Sequence, residues 1–409
     1  MPQALSNLRV LDLSRVLAGP WASQLLADLG AEVIKVEHPR GGDDTRGWGP
    51  PYAQTPDGGD SDVAAYFLCA NRNKKSVAVD ISTAEGQRIL RELACRSDVV
   101  IENFKVGGLA KYGLDFTSLA AINPKLVYCS ITGFGQTGPY APRAGYDFLI
   151  QGLGGLMGIT GQPDEAPGGG PMKVGVALTD VMTGLYASNA ILAALAWRHQ
   201  TGRGQYIDLA LLDVQVACLA NRALNQLVGF SGTARLGNAH PSIVPYEDFP
   251  TADGYMILAI GNDGQFERFC TASDVPELAA DPKYSTNAAR VTNRVDLIAR
   301  LRAITVGRST RDWIATLEKV AVPCGPINEL REVFDDPQVR AREMARSLPH
   351  ATLGSVPSVS NPIRMSETPV AYYRAPPALG ADTCSVLTGL GIVADVDLPG
   401  LQAEGIVRC

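Results

Sequence analysis

The sequence predicts an α/β fold: a Rossmann-like large domain joined to a smaller α+β domain. Three observations carry this. Residues 9–37 read as one strand–helix–strand unit, the pattern recurs through residue 132, and 46% of the 409 residues are hydrophobic, enough to cover a parallel sheet with helices. The apolar run 9–13 ends at Ser14; residues 20–29 have helical periodicity with Gly30 as a stop, and 32–37 form the next strand. Residues 76–80, 98–102 and 125–132 read as further strands and 85–95 as a helix. Between Pro39 and Asp62 the chain turns polar and rich in Gly and Pro, which predicts a long surface loop beside a site.

Glycines dominate from Tyr146 to Pro171. Gly152, Gly154 and Gly155 resemble a dinucleotide fingerprint, but Met157 stands where its last glycine belongs, so nicotinamide binding is rejected in favour of close packing or a loop beside a ligand. Asp180 opens a helical run to about residue 200, and a strand at 206–210 and a helix at 211–228 follow. The boundaries expected are 1–228 for the first part of the large domain, 229–322 for the small domain and 323–409 for a return segment completing the large one. The small domain begins with a loop from residue 230 to Pro245, then a strand at 255–260, a polar turn at 261–265 and several helices. The return segment holds a Pro-rich stretch, 357–377, and a short helix near Leu387.

The formal net charge of −6 argues against a general polyanion binder, so no nucleic-acid partner is expected and any phosphate site must be local. No membrane span is expected: the richest apolar stretch, 186–197, is interrupted by Ser188 and Asn189 and reads as a buried helix. The first six residues carry no basic patch before an apolar core, which predicts a cytoplasmic protein. The eight cysteines are scattered without a C-x-x-C pair and read mostly as buried thiols, Cys129 and Cys218 among them. With four dispersed histidines there is no metal set and no Ser/His/Asp constellation.

Six short motifs, LDLSRVLAGP at 11–20, GAEVIKVE at 30–37, NKKS at 73–76, ENF at 102–104, GFGQTG at 133–138 and TGRGQ at 201–205, together resemble the class III coenzyme A transferase family. That family includes formyl-CoA:oxalate and carnitine CoA-transferases and α-methylacyl-CoA racemase. The resemblance implies a homodimer of ring-shaped, interlocked subunits. It also implies CoA transfer from an acyl-CoA donor to a free carboxylic acid, with no permanently bound cofactor, coenzyme A entering as substrate.

Asp180 falls where the family carries its catalytic aspartate, although by itself an Asp at a helix start is a cap. In the implied route its carboxylate forms an aspartyl–acyl anhydride and then an aspartyl-CoA thioester. Gly261, Asn262, Asp263, Gly264 and Gln265 resemble the family's mobile glycine loop, a plain β-turn being the local alternative. The CoA-contacting positions map to Leu17, Ala18, His38, Val79, Asp80, Ser82, Asn103, Phe104, Lys105, Lys111, Arg143, Tyr146 and Asp147; a solvated face is the alternative for the two lysines. Leu17 replaces a glutamine of the oxalate branch, which favours a larger acyl group on an apolar wall. Tyr146 stands where the racemase branch has its histidine base, and a phenol of ordinary pKa near 10 is a poor base at neutral pH. The segment around His240 looks like the branch acting on succinyl-CoA and dicarboxylates; His240 holds a distal carboxylate in that reading, and is a structural loop histidine in the other. The alternatives are a racemase-type enzyme and a non-catalytic CoA-binding dimer.

Overall fold

Parallel strands buried on both faces need continuous apolar sequence, and the centre of the large unit supplies it. In the computed structural model, which describes residues 3–229 and 235–409, Leu11 sits opposite Ile34 on one side and Val100 on the other, and all three are fully buried. Seven strands lie in the order Val407–Arg408, Lys74–Val79, Glu32–Glu37, Arg9–Asp12, Val99–Glu102, Val127–Thr132 and Gln205–Ala210. All pairings are parallel except that of the terminal strand, which runs antiparallel to Lys74–Val79. The chain builds outward from Arg9–Asp12 in one direction, then crosses to Val99–Glu102 and builds in the other. Strand order therefore reverses between these two, where open α/β sheets bind ligands beyond the carboxyl ends of their strands.

The large unit comprises Met1–Leu156, Val174–Val228 and Gln338–Cys409; the smaller comprises Met157–Lys173 and Gly229–Pro337. The last segment is tied into the large unit by buried polar bonds. Arg72 forks onto Asp28, Asn361 donates to the same carboxylate at 3.0 Å, and the Ser76 amide donates to Asp382 at 2.9 Å. The smaller unit has a three-stranded antiparallel sheet, Cys324–Pro326, Tyr255–Ala259 and Tyr246–Pro250, over a core that includes Phe249, Met256, Phe269 and Trp313. The start of the loop expected from residue 230, and residues 1 and 2 of the stretch read for an export signal, lie outside the described residues.

Several expectations are corrected. The helix expected over 211–228 is two, Leu211–Cys218 and Ala220–Leu227, broken where Ala220 takes a φ of 45°. The stretch 39–62 is a single 3₁₀ turn, Asp44–Gly47, followed by a hairpin of Tyr52–Gln54 and Asp60–Ala64. Among the cysteines only Cys129 and Cys270 are buried free thiols. Cys218 is half-buried, and Cys384 is joined to Cys409 because the terminal strand returns beside the helix Thr383–Gly389, a proximity that spacing alone does not reveal.

The helix Leu178–Thr201 is buried on one side only. Ala187, Ile191 and Ala194 join the core with Ala18, Ala22 and Leu26, while Leu185, Tyr186, Leu192 and Trp197 stay exposed. By length and composition this helix is apolar enough to cross a membrane, but its inner face packs on Ala18–Asp28 like that of any core helix. The helix read as buried over 186–197 is thus buried on its inner face only.

Candidate active site

A cleft opens at the carboxyl ends of the central strands. Its wall is built by the turn after Arg9–Asp12 (Arg15, Val16, Leu17, Ala18), by the segment after Val99–Glu102 (Asn103, Phe104, Lys105, Lys111), by Arg143–Tyr146 and by Asp180. Leu17, Ala18, Asn103, Phe104, Lys105, Lys111, Arg143, Tyr146 and Asp180, nine positions singled out from the sequence, are brought together here. An adjoining apolar pocket holds His38 and Val79 with Leu13, Ile81, Leu109 and Leu114, and shares Phe104 and Arg15 with the cleft.

Asp180 is the third residue of its helix, not the cap, which is Ala177. The capping is done by Asp147, whose carboxylate accepts from the amides of Thr179 at 2.8 Å and Asp180 at 3.3 Å. Four residues on, Gly184 lies on the same helical face, where an added Cβ would come within 2.8 Å of the Ala18 carbonyl oxygen. The Asp180 face of the helix is therefore turned toward the start of the helix Ala18–Asp28, whose first amides have no intrahelical partner. Burial, and then the charge of Asp147, push the Asp180 carboxyl up to about 7. Nearby, burial and then Asp180 push the Tyr66 phenol up to about 12.

Four cations line this cleft in a chain of net negative charge: Arg15, Lys105, Lys111 and Arg143. Arg143 packs over the rings of Tyr140 and Phe134 at 4.6 and 5.2 Å, and Lys111 lies 4.6 Å from the ring centre of Tyr112. Asn103 spends its amide on the neighbouring turn, accepting from the Arg15 N–H at 2.9 Å and donating to the Arg15 carbonyl at 2.7 Å. Asp80 accepts from Ser82 and lies 3.8 Å from His38, which lines the adjoining pocket.

Gly261–Gln265 is not a β-turn but the start of the helix Asp263–Ala272 in the smaller unit. Asn262 caps it by accepting from the Gln265 amide at 2.9 Å, and Gln265 accepts from the Gly261 N–H at 2.7 Å. Asp263 is gripped by the fully buried Arg290. His240, in the same unit, packs against Tyr246 and accepts from the Ser242 amide at 3.1 Å.

Sequence reading missed Arg15, Val16, Tyr66 and a buried lattice beneath the cleft. Lys35 pairs with Asp43 at 2.8 Å and Lys74 with Asp12 at 3.2 Å, all four side chains fully inaccessible. A signal was present: Asp12 and Lys35 interrupt apolar strands, and a charge buried there needs a partner.

The sequence profile of CoA-transferase family III matches residues 5–383. The chain belongs to CoA-transferase family III. It is accordingly an enzyme, and CoA thioesters are the substrates of its class. Among proteins of this family, it is 52% identical to a succinate–glutarate CoA-transferase of Agrobacterium fabrum, over 97% of this chain and 98% of that protein. It is 46% identical to the succinyl-CoA:glutarate CoA-transferase of Mus musculus, covering 99% and 90%. A CaiB/BaiF family protein from Brucella suis, 48% identical, superposes with a TM-score of 0.83 over 95% of this chain and 100% of that one. The mixed α/β fold with its mostly parallel sheet is that of this structural family.

Proposed function

We propose that this enzyme moves CoA between short dicarboxylic acids, from succinyl-CoA to an acceptor such as glutarate, with Asp180 as carrier. The observation that carries the mechanism is the half-buried Asp180 carboxylate in a cation-lined cleft at the switch point of the sheet. The names of the relatives at 52% and 46% identity supply the substrate class. The Asp180 carboxylate attacks the donor thioester carbonyl, the C–S bond breaks and CoA leaves as a thiolate, giving a mixed anhydride. The thiolate attacks the aspartyl carbonyl and releases the first acid, leaving an aspartyl-CoA thioester. The acceptor carboxylate displaces the thiolate, which then attacks the acceptor's acyl carbon and frees Asp180. Each step exchanges one activated acyl bond for another, so no ATP is consumed.

In this reading Lys105, Lys111 and Arg143 meet the CoA phosphates, and the pocket of Val79, Ile81 and Phe104 beside His38 takes the adenine, with Asp80 and Ser82 at its rim. Leu17 supplies an apolar wall near the acyl group, Ala18 and Asn103 shape the same wall, and Asp147 fixes the start of the Asp180 helix. The resemblance assigns Gly261–Gln265 and His240, in the smaller unit, to the substrate. The protein works in the cytoplasm as a homodimer of interlocked rings, with no bound cofactor, membrane or nucleic acid. The return of residues 338–409 to the large unit, after the excursion through the smaller one, supports a ring.

The test is rapid-quench mass spectrometry after mixing with succinyl-CoA and no acceptor. A CoA thioester or succinyl adduct should appear on the peptide carrying Asp180, yield a hydroxamate with hydroxylamine and disappear when glutarate is added. Asp180→Ala should fold and lose transfer. Steady turnover with no modified peptide under donor saturation overturns the covalent route.

A further inference from the structure

Val16 has a φ of 71°, in the left-handed region that β-branched residues rarely adopt. The turn around it is gripped from several sides. Asn103 holds Arg15 through both its N–H and its carbonyl, and Lys35 donates to the Ser14 carbonyl at 2.9 Å. Both oxygens of Asp43 accept from the Val16 N–H at 3.3 Å. Gly19 closes the turn so tightly that a Cβ there would come within 2.2 Å of the Ser14 hydroxyl. Asp43 is itself fixed by Lys35, by the Thr45 amide at 3.0 Å and by the Thr45 hydroxyl at 2.7 Å. Although burial would raise it, Lys35 and then Thr45 hold the Asp43 carboxyl down at about 2, so it is a permanent anion.

We propose that Asp43 is a positioning residue for acyl transfer: anchored by Lys35, it holds Val16 in its left-handed conformation and so fixes the turn Arg15–Ala18 against which Asp180 reacts. This rests on the reading of Asp180 as acyl carrier. Leu17 and Ala18 follow Val16 directly and line the cleft with Asp180; relaxation of Val16 into the extended region would swing both away. Asp43 does not line that cleft; it borders the adjoining pocket, but its carboxylate is fully inaccessible and spent on Lys35, Thr45 and Val16, so it offers nothing to a bound donor. Its effect should appear in turnover rather than in donor affinity.

A double-mutant cycle on the full-length enzyme tests this, with succinyl-CoA and glutarate as substrates. Asp43→Asn should lower kcat by about 100-fold, the size expected for a displacement of about 1 Å at a reacting centre, with KM for succinyl-CoA changed less than about threefold. In the Val16→Gly background, where glycine takes the left-handed conformation unaided, the same substitution should cost less than about fivefold. Equal losses in the two backgrounds, or a loss confined to KM, overturn the proposal. Where Asp43→Asn does not fold, Asp43→Glu replaces it, since its charge still answers Lys35 while its longer arm displaces the acceptor from the Val16 amide. Val16→Gly alone gives a further reading: its Tm should equal or exceed that of the wild type, and a fall of several degrees counts against strain at this position. The wild-type adduct on Asp180 is scored separately. An additive cycle with that adduct present defeats only the role of Asp43, whereas a missing adduct defeats the acyl-carrier reading.

Discussion

At the residue scale, the proposal that Asp180 carries the acyl group requires its ionised state, since only the carboxylate attacks a thioester. With its carboxyl at about 7, kcat/KM should fall as pH drops through neutrality, because the free enzyme then gains a proton on the nucleophile. Asp147 contributes to that elevation through its negative charge. Asp147→Asn keeps an oxygen to accept from the Thr179 amide but removes the charge, so the acid limb of the profile should move to lower pH. A limb that stays in place in a rate profile measured from pH 5 to 9 would leave burial as its only cause. Lys111 poses a different question, because a lysine at a cleft edge is ordinarily just solvated. If it meets a CoA phosphate remote from the reacting carbonyl, Lys111→Ala should raise KM for succinyl-CoA by roughly tenfold, the size of one charge-assisted contact, and leave kcat nearly unchanged. Steady-state kinetics with an unchanged KM would return it to the solvent.

At the element scale, the helix Leu178–Thr201 brings Asp180 to the cleft by lying directly on the first turn of Ala18–Asp28. Gly184 makes this approach possible, with Trp21 and the Ala18 carbonyl already within 3.0 Å of where a Cβ would stand. Gly184→Ala must push backbone against backbone, so it should destabilise the fold by about 1–3 kcal/mol in urea unfolding and depress kcat as Asp180 is displaced. Wild-type stability and turnover would show that the contact has room to give. The terminal strand, paired with Lys74–Val79, is also tied covalently to the helix Thr383–Gly389: labelling of the denatured protein should find six free thiols before reduction and eight after it. The elements also show where sequence reading works and where it stops. The strand read at 32–37 is observed at Glu32–Glu37, because Gly30 stops the preceding helix and Val33, Ile34 and Val36 bury themselves in the sheet core. The turn read at 261–265 opens a helix, since Asn262 and Asp263 satisfy turn and cap patterns equally until Gln265 is seen closing back on Gly261. Asp180 was legible as a helix-start residue, but the cap comes from Asp147, more than thirty residues earlier, and no local pattern encodes that contact. Val16 is the extreme case: its strained backbone is imposed by Asp43, Lys35 and Asn103 from three other parts of the chain.

At the scale of the whole molecule, the large unit leaves a broad apolar surface uncovered. Leu185, Tyr186, Leu192 and Trp197 line the outer side of Leu178–Thr201, and the next two helices add Val216, Leu224 and Leu227. The helix Ala220–Leu227 buries none of its residues, although its apolar side chains are gathered on one face as if for a core. Surfaces of this kind are rare on monomers, where they mark sites of association. In the proposed homodimer of interlocked rings a second copy of the chain would cover this surface, and such a dimer makes a stricter demand than ordinary docking. Separating threaded rings requires at least one to open, so dissociation should be limited by unfolding rather than by dilution. Light scattering after size exclusion should therefore give twice the 43.4 kDa chain mass at every accessible protein concentration. Mixed with a tagged version of itself, the native protein should exchange no subunits over hours, and should do so after denaturation and refolding together. Trp197→Asp places a charge on the uncovered stripe, so it should lower the yield of folded dimer instead of releasing an active monomer. A stable, active monomer at 43.4 kDa would remove the second copy as the cover, and rapid exchange between native dimers would leave a dimer whose rings are not threaded.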